Sequence, residues 1–278
     1  MALVIKKRGR PSKQMLQERK ATSTPKRTDR EVLADLQDRF LMLDKLTHGT
    51  LDSHVRSLVV TGAPGVGKTY TVENILEHRE NAKYEVVKGT LSAVELYKLG
   101  YKHRAPGSVI VLDDADSIFT DEEALNVLKA LCDSSANRRV SWMKDSATLR
   151  QEDVPQSYDF AGSFIFISNI DFQKYVDEGG NKYVVHFEAL MSRSLYLDLR
   201  LHDRQAISLW VEHVATTGKL FLRESVTSKQ GEEIIQFLKQ HRDALREFSL
   251  RTVMKLCGLM KSHPEDWERM GRVLLTRG

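Results

Sequence analysis

The sequence predicts an α/β domain, in which helices cover both faces of a five-stranded parallel sheet, followed by a small helical domain. Short apolar runs alternate with helix-spaced apolar residues as far as residue 200, and strands that alternate with helices form parallel sheets. Beyond residue 200 only helix-spaced patterns occur. We therefore divide the chain into a tail (1–27), an α/β domain (28–201) and a helical domain (202–278).

The five strand-sized apolar runs are short and are bounded by polar residues or glycine. They are Ser57–Thr61, Tyr84–Val87, Ser108–Leu112, Ser163–Ile167 and Ser194–Leu199. Capping boxes mark two helix starts, Thr28 with Glu31 and Thr120 with Glu123, because each pair can satisfy the first free amide groups of a helix. The first of these helices is expected to end at Gly49.

The other predicted helices are recognised by apolar residues three and four positions apart. In the α/β domain they lie around Val72–Leu76 and at Ser92–Leu99. In the helical domain they carry Ile207, Trp210, Val211 and Val214, then Ile234, Ile235, Leu238 and Leu245, then Val253, Leu256, Cys257 and Met260, and last Trp267–Leu275. Residues 134–162 are polar and are expected to be irregular.

The composition excludes several classes of protein. Of the 278 residues, 41% are hydrophobic and 29% charged, as in a soluble globular protein. The longest apolar runs, such as Val109–Leu112, are far below the ~20 residues that span a membrane, and no apolar stretch follows the basic N-terminus to make a secretory signal. The two cysteines, Cys132 and Cys257, favour neither a disulfide framework nor a cysteine-rich zinc site, so we expect a reducing compartment.

Positive charge is concentrated in the tail. Residues 1–27 hold nine basic residues and one acidic residue, so the rest of the chain is mildly acidic although the whole carries +4. Arg8, Gly9, Arg10 and Pro11 form the core of an AT-hook, in which two arginines flank a glycine that can enter a narrow minor groove. We predict DNA binding by the tail; simple attraction to phosphates, or a solubilising leader, remain the alternatives.

A glycine loop carries the strongest functional signal. It comprises Gly62, Ala63, Pro64, Gly65, Val66, Gly67, Lys68 and Thr69, with Tyr70 next, and it lies between a strand and a helix. This is the full phosphate-binding (P-loop, Walker A) pattern. Its glycines let backbone amides turn toward phosphates, Lys68 can reach the β- and γ-phosphates, and the Thr69 hydroxyl can ligate Mg²⁺. We therefore predict ATP and Mg²⁺ as ligands.

A second acidic motif follows the third predicted strand. Asp113 and Asp114 end an apolar run, which is the form of a Walker B element. Asp113 would hold Mg²⁺, and Asp114 would orient or deprotonate the attacking water. Read alone, the pair could also be a solvated turn.

With these motifs, the chain resembles the AAA+ ATPases over roughly residues 30–265. The resemblance implies a P-loop NTPase core of five parallel strands and a helical lid. It also implies that Asn169, after the predicted strand Ser163–Ile167, is the sensor 1 residue that contacts the γ-phosphate or the water. Glu188–Ser194 is similar to the Ser-Arg-Cys segment of clamp loaders, with Ser194 in place of cysteine.

That similarity implies that Arg193 is a finger that reaches the nucleotide of a neighbouring subunit, as suits a permanently charged, forked guanidinium. Arg200 and Arg204 are rival fingers. The segment Ser249–Thr252 resembles sensor 2, which implies that Arg251 reports loss of the γ-phosphate to the lid. One departure concerns Asp114, since many AAA+ proteins have glutamate there; the shorter side chain raises the alternative of slow hydrolysis.

The resulting hypothesis is an ATPase in which ATP binds at subunit interfaces of a ring or open spiral, either a homo-oligomer or a hetero-oligomer with related subunits. A role in DNA metabolism, as a loader or remodeller in the cytoplasm of a bacterial or phage-infected cell, is expected, with a nuclear location left open and no membrane partner. The alternatives are a protein remodeller without a DNA role and a nucleotide-gated DNA-binding switch. A P-loop kinase is disfavoured by the sensor and finger candidates.

Within residues 134–162, Arg138, Arg139, Trp142 and Lys144 could contact single-stranded DNA, although a loop with Trp142 packed on the body is favoured.

Overall fold

The computed structural model describes residues 27–180 and 183–277. Strands are β1 (Ser57–Thr61), β2 (Lys83–Lys88), β3 (Ser108–Asp113), β4 (Arg139–Ser141), β5 (Ser157–Asp159), β6 (Ser163–Ser168) and β7 (Leu195–Asp198). Helices of the first part are α1 (Asp29–Leu51), α2 (Lys68–His78), α3 (Ala93–Lys102), α4 (Glu122–Leu131), α5 (Ala147–Gln151), α6 (Phe172–Glu178) and α7 (Val184–Arg193). The later helices are α8 (Arg204–Thr217), α9 (Leu220–Arg223), α10 (Ser228–Gln240), α11 (Leu250–Ser262) and α12 (Trp267–Leu275).

Five strands form one parallel sheet, as predicted, and their order in it is β2-β3-β6-β1-β7. The central strands β1, β3 and β6 are buried along their whole length, which explains their unbroken apolar sequences. Because all the strands run the same way, β1, β3 and β6 end at one edge of the sheet. Thr61 pairs with Ser168, and Asp113 pairs with Ile167, so the segments that follow these strands are neighbours.

Successive residues of each strand point to opposite faces of the sheet. In β3, Val109 and Val111 pack in a cluster with α1, α2 and the start of α8, whereas Ile110 and Leu112 pack with α3, α4 and α7. Helices therefore cover both faces, as the sequence predicts. Within the described residues, none of the helices has the length and apolar character needed to span a bilayer.

The helical region has a cluster of its own, built from α8, α10, α11 and α12. Helix α8 belongs to two clusters. Its early residues Ala206 and Trp210 pack with α1 and the sheet, and its later residues Val211 and Ala215 pack with α10 and α11. A single helix thus connects the sheet with the helical region.

Three predictions about helix limits were wrong. Helix α10 ends at Gln240, so Leu245, which was expected on it, lies beyond the helix in an isolated bridge with Thr276. The first helix runs past Gly49 to Leu51, and Gly49 is there for close approach, because a Cβ on it would lie 2.7 Å from Cγ2 of Val55. The helix predicted from Thr120 begins one residue later, because Asp121 is the N-cap of α4 and its carboxylate accepts hydrogen bonds from the amides of Glu123 and Ala124. Aspartate is as good a cap as threonine. The box at Thr28 is confirmed.

Residues 134–162 are more regular than predicted. Strands β4 and β5 pair as an antiparallel hairpin that encloses α5. The buried Arg138 guanidinium donates to the carbonyls of Leu131 at 3.0 Å and Gly162 at 2.6 Å, and so fastens the hairpin to α4 and to the start of β6. Three-residue strands are too short to show a periodic pattern in the sequence.

Two helical glycines should respond oppositely to replacement by alanine. A Cβ on Gly100 of α3 would lie 2.3 Å from the Tyr158 hydroxyl, which donates to the Tyr97 carbonyl at 2.8 Å, whereas a Cβ on Gly258 of α11 would meet nothing within 4 Å. We predict that Gly100→Ala lowers the free energy of unfolding by about 1–3 kcal/mol. The control Gly258→Ala should raise it by about 0.5–1 kcal/mol. Urea denaturation measures both, and stabilisation by Gly100→Ala would contradict this packing.

Candidate functional site

The glycine loop connects β1 to α2 at the shared edge of the sheet. Gly65 and Gly67 have φ of +67° and +104°, a left-handed backbone that favours glycine. Gly67 is also the N-cap of α2, and no side chain caps this helix. The first amide groups of α2 are therefore left for a ligand, and an anion is the ligand that a helix N-terminus favours.

Lys68 lies at the centre of the site. Its Nζ donates hydrogen bonds to the carbonyls of Gly62 at 2.7 Å and Ala63 at 2.8 Å, and to Oδ1 of Asn169 at 2.8 Å. The side chain is buried, and this burial lowers its pKa to about 8, although Asp114 and Asp113 oppose the shift. The ammonium group is thus held at the loop by three neutral acceptors.

The predicted magnesium ligands are in contact. The Thr69 hydroxyl donates to Oδ1 of Asp113 at 2.9 Å, and the buried Asp113 carboxyl has a raised pKa because of desolvation. Lys88, at the end of β2, lies 3.9 Å from the other oxygen of Asp113 and 2.8 Å from Glu73. A hydroxyl and a carboxylate are oxygen ligands that Mg²⁺ accepts, so the pair fits this ion.

No group of three or more His, Cys, Asp or Glu side chains suited to a metal ion occurs in the part of the chain that the structure describes. At nucleotide sites Mg²⁺ is usually bound through one or two protein oxygens together with phosphates and waters.

Asp114 and Asn169 form a direct pair. Nδ2 of Asn169 donates to Oδ1 of Asp114 at 2.6 Å, while the Oδ1 atom of the same amide accepts from Lys68. Asp114 is exposed and has φ of +53°, a left-handed conformation that turns the chain directly after β3. The side chains of Lys68, Asn169 and Asp114 therefore form one hydrogen-bonded chain across the edge of the sheet.

The sequence analysis did not single out Asp116, which binds the residue next to Asn169. Oδ1 of Asp116 accepts a hydrogen bond from the Ser168 hydroxyl at 2.7 Å, and burial raises the pKa of its carboxyl. Ser168 in turn accepts from the amide of Ile170. The contact joins the turn after β3 to the end of β6, on either side of Asn169. An acidic residue two positions after Asp114 was the available signal.

The helical region closes one side of the site. The cleft that contains Lys68, Thr69, Asp113, Asp114 and Asn169 is also lined by Val214, Gly218, Leu220, Arg223, Glu224, Leu250, Arg251 and Met254. Arg251 lies in the first turn of α11, and its charge contributes to the lowered pKa of Lys68. The Arg223 guanidinium lies 4.7 Å from the ring centre of Tyr70, which is half exposed at the start of α2.

A model of the ATPase family associated with various cellular activities (AAA) matches residues 58–169, which run from β1 to Asn169. An uncharacterized 36.7 kDa protein of Enterobacteria phage T4, from the nrdC-mobD intergenic region, is 31% identical over 238 residues, or 84% of this chain and 73% of the phage protein. The chain belongs to the AAA family of ATPases.

Two solved structures are also similar to this AAA protein. Domain III of the replication initiation protein DnaA from Thermotoga maritima is 12% identical with a TM-score of 0.49, covering 86% of this chain and 91% of that one. A DNA replication initiation factor is 15% identical with a TM-score of 0.44, covering 84% of this chain and 63% of that one. The AAA protein thus spans less than two thirds of the length of the second structure.

The three finger candidates lie outside the cleft of their own chain. Nη1 of Arg193, at the end of α7, donates to the Ala189 carbonyl at 2.9 Å, and Nε lies 3.9 Å from Asp133. Arg200 is exposed and lies 3.8 Å from Asp35. Arg204 donates to the carbonyls of Asp243 and Leu245 and so fastens the start of α8 to the segment between α10 and α11. This structural task makes Arg204 the weakest of the three candidates.

Two of the three hairpin bases named above are buried or ion-paired, and the third, Arg139, is exposed. Arg138 is buried, Arg139 donates to the Ser157 hydroxyl at 2.9 Å, and Lys144 pairs with Glu123. Trp142 is 9% exposed and lies 5.8 Å from Tyr97 between ring centres, so it packs on the body of the protein. The AT-hook residues Arg8, Gly9, Arg10 and Pro11 lie outside the described residues.

The lowered pKa of Lys68 generates a prediction about pH. In the free protein Lys68 loses its proton above about pH 8, and a bound polyphosphate favours the charged form. Affinity for magnesium ADP should therefore fall as the pH rises from about 7 to about 9, with proton uptake on binding in the upper half of that range. Calorimetry in two buffers of different ionisation enthalpy measures this uptake. Lys68→Arg is the control, because its side chain stays charged at every pH tested. If the affinity of the wild type depends on pH as little as that of this variant, the prediction is contradicted.

Proposed function

We propose that the protein binds ATP with Mg²⁺ between the glycine loop and the helical region, hydrolyses it, and moves the helical region against the sheet as it does so. The observation that carries this proposal is the hydrogen-bonded chain of Lys68, Asn169 and Asp114 beside the Thr69–Asp113 pair. It brings a lysine, a hydroxyl, two carboxylates and an amide, which phosphoryl transfer to water uses, to one edge of the sheet.

Each residue of this set has a task that follows from its chemistry. The amides of the loop and of the start of α2 bind phosphate oxygens, and the Lys68 ammonium exchanges its present acceptors for phosphate charge. Thr69 and Asp113 hold Mg²⁺, which neutralises the charge that develops on the transferred phosphoryl group. The desolvated Asp113 carboxylate gains an opposite charge in place of its weak contact with Lys88.

Asp114 is the candidate for the residue that positions or deprotonates water. Its exposed carboxylate is held by one oxygen to Asn169, which leaves the second oxygen available to a solvent molecule. Asn169 contacts both Lys68 and Asp114, so a change at the phosphate end is transmitted to the residue that orients water. Arg251 would sense the same change from the helical region, because it lines the same cleft as Asp114.

Assembly completes the site in this proposal. No arginine of the three finger candidates lines the cleft in the described part of the chain. A guanidinium from a second subunit would supply the missing positive charge, and Arg193 is our candidate for it. The result is a ring or open spiral of identical or related subunits with ATP between them.

We assign DNA binding to the tail rather than to the folded part. Of the hairpin bases described above, Arg138 is buried and Lys144 is ion-paired, which leaves Arg139 exposed, whereas the tail concentrates nine bases and the Arg8–Pro11 motif. The function is then that of a DNA-bound loader or remodeller. A nucleotide-gated DNA switch with little hydrolysis is the second candidate, and the shorter Asp114 in place of glutamate favours it.

Two substitutions separate binding from hydrolysis. Lys68→Ala should abolish ATP turnover together with most ATP binding, because the charge at the phosphates is lost. Asp114→Asn should keep ATP binding and lower kcat by about 10²–10⁴-fold, since a carboxamide cannot accept the proton. Lys174→Ala, on the exposed surface of α6, is the control. Unchanged turnover in Lys68→Ala would sink the proposal, and a wild-type chain that binds ATP without turnover would favour the switch.

The finger assignment predicts complementation between two inactive proteins. Arg193→Ala should lower kcat by about 10³-fold or more while ATP binding in the monomer is unchanged. Mixing it with Asp114→Asn should restore part of the turnover, because mixed interfaces combine an intact finger with an intact acid. Arg200→Ala is the matched control. Loss of turnover in Arg200→Ala alone would move the finger to that residue.

DNA binding by the tail is tested by removing it. The chain lacking residues 1–27 should bind A·T-rich duplex DNA far more weakly than the full chain, with a shallower dependence of affinity on salt. Arg8→Ala with Arg10→Ala should remove the preference for A·T-rich DNA. Lys13→Ala with Lys20→Ala removes the same charge outside the motif and should keep the preference. Undiminished affinity of the shortened chain would reject the assignment.

A further inference from the structure

The helical region holds the glycine loop by its backbone. Nε1 of Trp210, on α8, donates a hydrogen bond to the Val66 carbonyl at 2.9 Å. The amide of Leu250, at the start of α11, donates to the carbonyl of the preceding loop residue, Gly65, at 2.8 Å. Two successive carbonyls of the loop are therefore bound by two different helices that lie more than a hundred residues further along the chain.

Trp210 is itself held firmly. Its side chain is 7% exposed and stacks on Phe40 of α1, with ring centres 4.0 Å apart and an angle of 15° between the rings. A buried tryptophan ring has two χ angles, and here the stack with Phe40 fixes the plane in which its N–H points. The loop is held as closely at Gly65, where a Cβ would lie only 2.7 Å from Cβ of Ser249.

These contacts decide where the loop amides point. In a trans peptide the C=O and the N–H point in opposite directions. The Gly65 and Val66 carbonyls point to the helical region, so the amides of Val66 and Gly67, in the same two peptide planes, point away from it into the loop. Donors from the helical region thereby orient two of the amides that the loop offers to an anion.

We propose that Trp210 is a positioning residue of the nucleotide site, which holds the Val66 carbonyl and so presets the Gly67 amide for phosphate. The inference rests on the proposed function, since it names a determinant of nucleotide affinity at that site. It also makes α8 a mechanical link, because the helix that carries Trp210 contributes Val211 and Ala215 to the cluster of the helical region.

The test compares two tryptophan replacements in the full chain. Trp210→Phe keeps a ring that can stack on Phe40 but removes the N–H. Trp142→Phe is the matched control, because Nε1 of Trp142 is buried and has no hydrogen-bond partner among the described residues. Two quantities are measured: the Kd for magnesium ADP by calorimetry, and hydrogen exchange of the loop amides in nucleotide-free protein by mass spectrometry.

Trp210→Phe should weaken ADP binding by about five- to tenfold and speed up exchange of the loop amides by a similar factor, as expected for one lost hydrogen bond. Trp142→Phe should change neither quantity. Unchanged affinity and exchange in Trp210→Phe would overturn the proposal. A merely structural role would lower the melting temperature of Trp210→Phe without changing loop exchange in the folded state, and this outcome also counts against it.

Two further measurements test the positioning role if ADP does not bind or the variant does not fold. If wild-type protein binds no ADP, the proposed function fails, whereas loop exchange in the absence of nucleotide still tests the positioning role. If Trp210→Phe does not fold, the three indole N–H signals of tryptophan-labelled wild-type protein provide the readout, assigned through Trp142→Phe and Trp267→Phe. The Trp210 signal should move on addition of ADP while that of Trp142 stays in place. An unmoved Trp210 signal in protein that binds ADP overturns the proposal.

Discussion

The site depends on one desolvated charge. Removing the Lys68 ammonium from water is unfavourable unless acceptors replace the water, and three acceptors do so: the carbonyls of Gly62 and Ala63 and the amide of Asn169. Two of these follow β1 and the third follows β6, so the lysine is satisfied only where these two strands pair in parallel and end together. The buried position of the Lys68 ammonium therefore requires that β1 and β6 be neighbours in the sheet. A phosphate ligand would meet a lysine that is already in place, with neutral acceptors that it can replace.

The helical region is part of this site rather than a separate attachment. Helix α8 packs on the sheet through Ala206 and Trp210 and on its own cluster through Val211 and Ala215. The Trp210 indole and the amide of Leu250, at the start of α11, add hydrogen bonds that run between the two parts. A ligand that shifts the loop therefore acts on helices that carry Arg251 and Met254 on the other side of the cleft. In the proposed function, these few short contacts would connect the state of the bound nucleotide to the position of the helical region.

The features that could be predicted from sequence are local. The glycine loop, Lys68, Thr69 and the acids after β3 follow from motifs within one strand–turn–helix unit or at one strand end, and the parallel sheet follows from the alternation of strands and helices. Features that depend on distant partners could not be predicted. The sequence marks Trp210 as an apolar position, but the carbonyl that accepts its indole N–H belongs to Val66, 144 residues away. The hairpin is fastened by Arg138, whose acceptors are the carbonyls of Leu131 and Gly162. One of these residues precedes the hairpin in the chain and the other follows it. The shift of the α4 cap to Asp121 shows that two adjacent residues with similar capping ability cannot be ranked without the preceding turn.

The central claim is that this edge of the sheet is a ready-made site for ATP and Mg²⁺. Calorimetric titration of the folded full chain with ATP tests it most directly, once with Mg²⁺ and once with a chelator. The account predicts saturable binding of one ATP per chain that weakens when the metal is removed, because Thr69 and Asp113 then lose the ion that links them to the phosphates. No heat of binding from correctly folded protein, with or without the metal, would contradict the account.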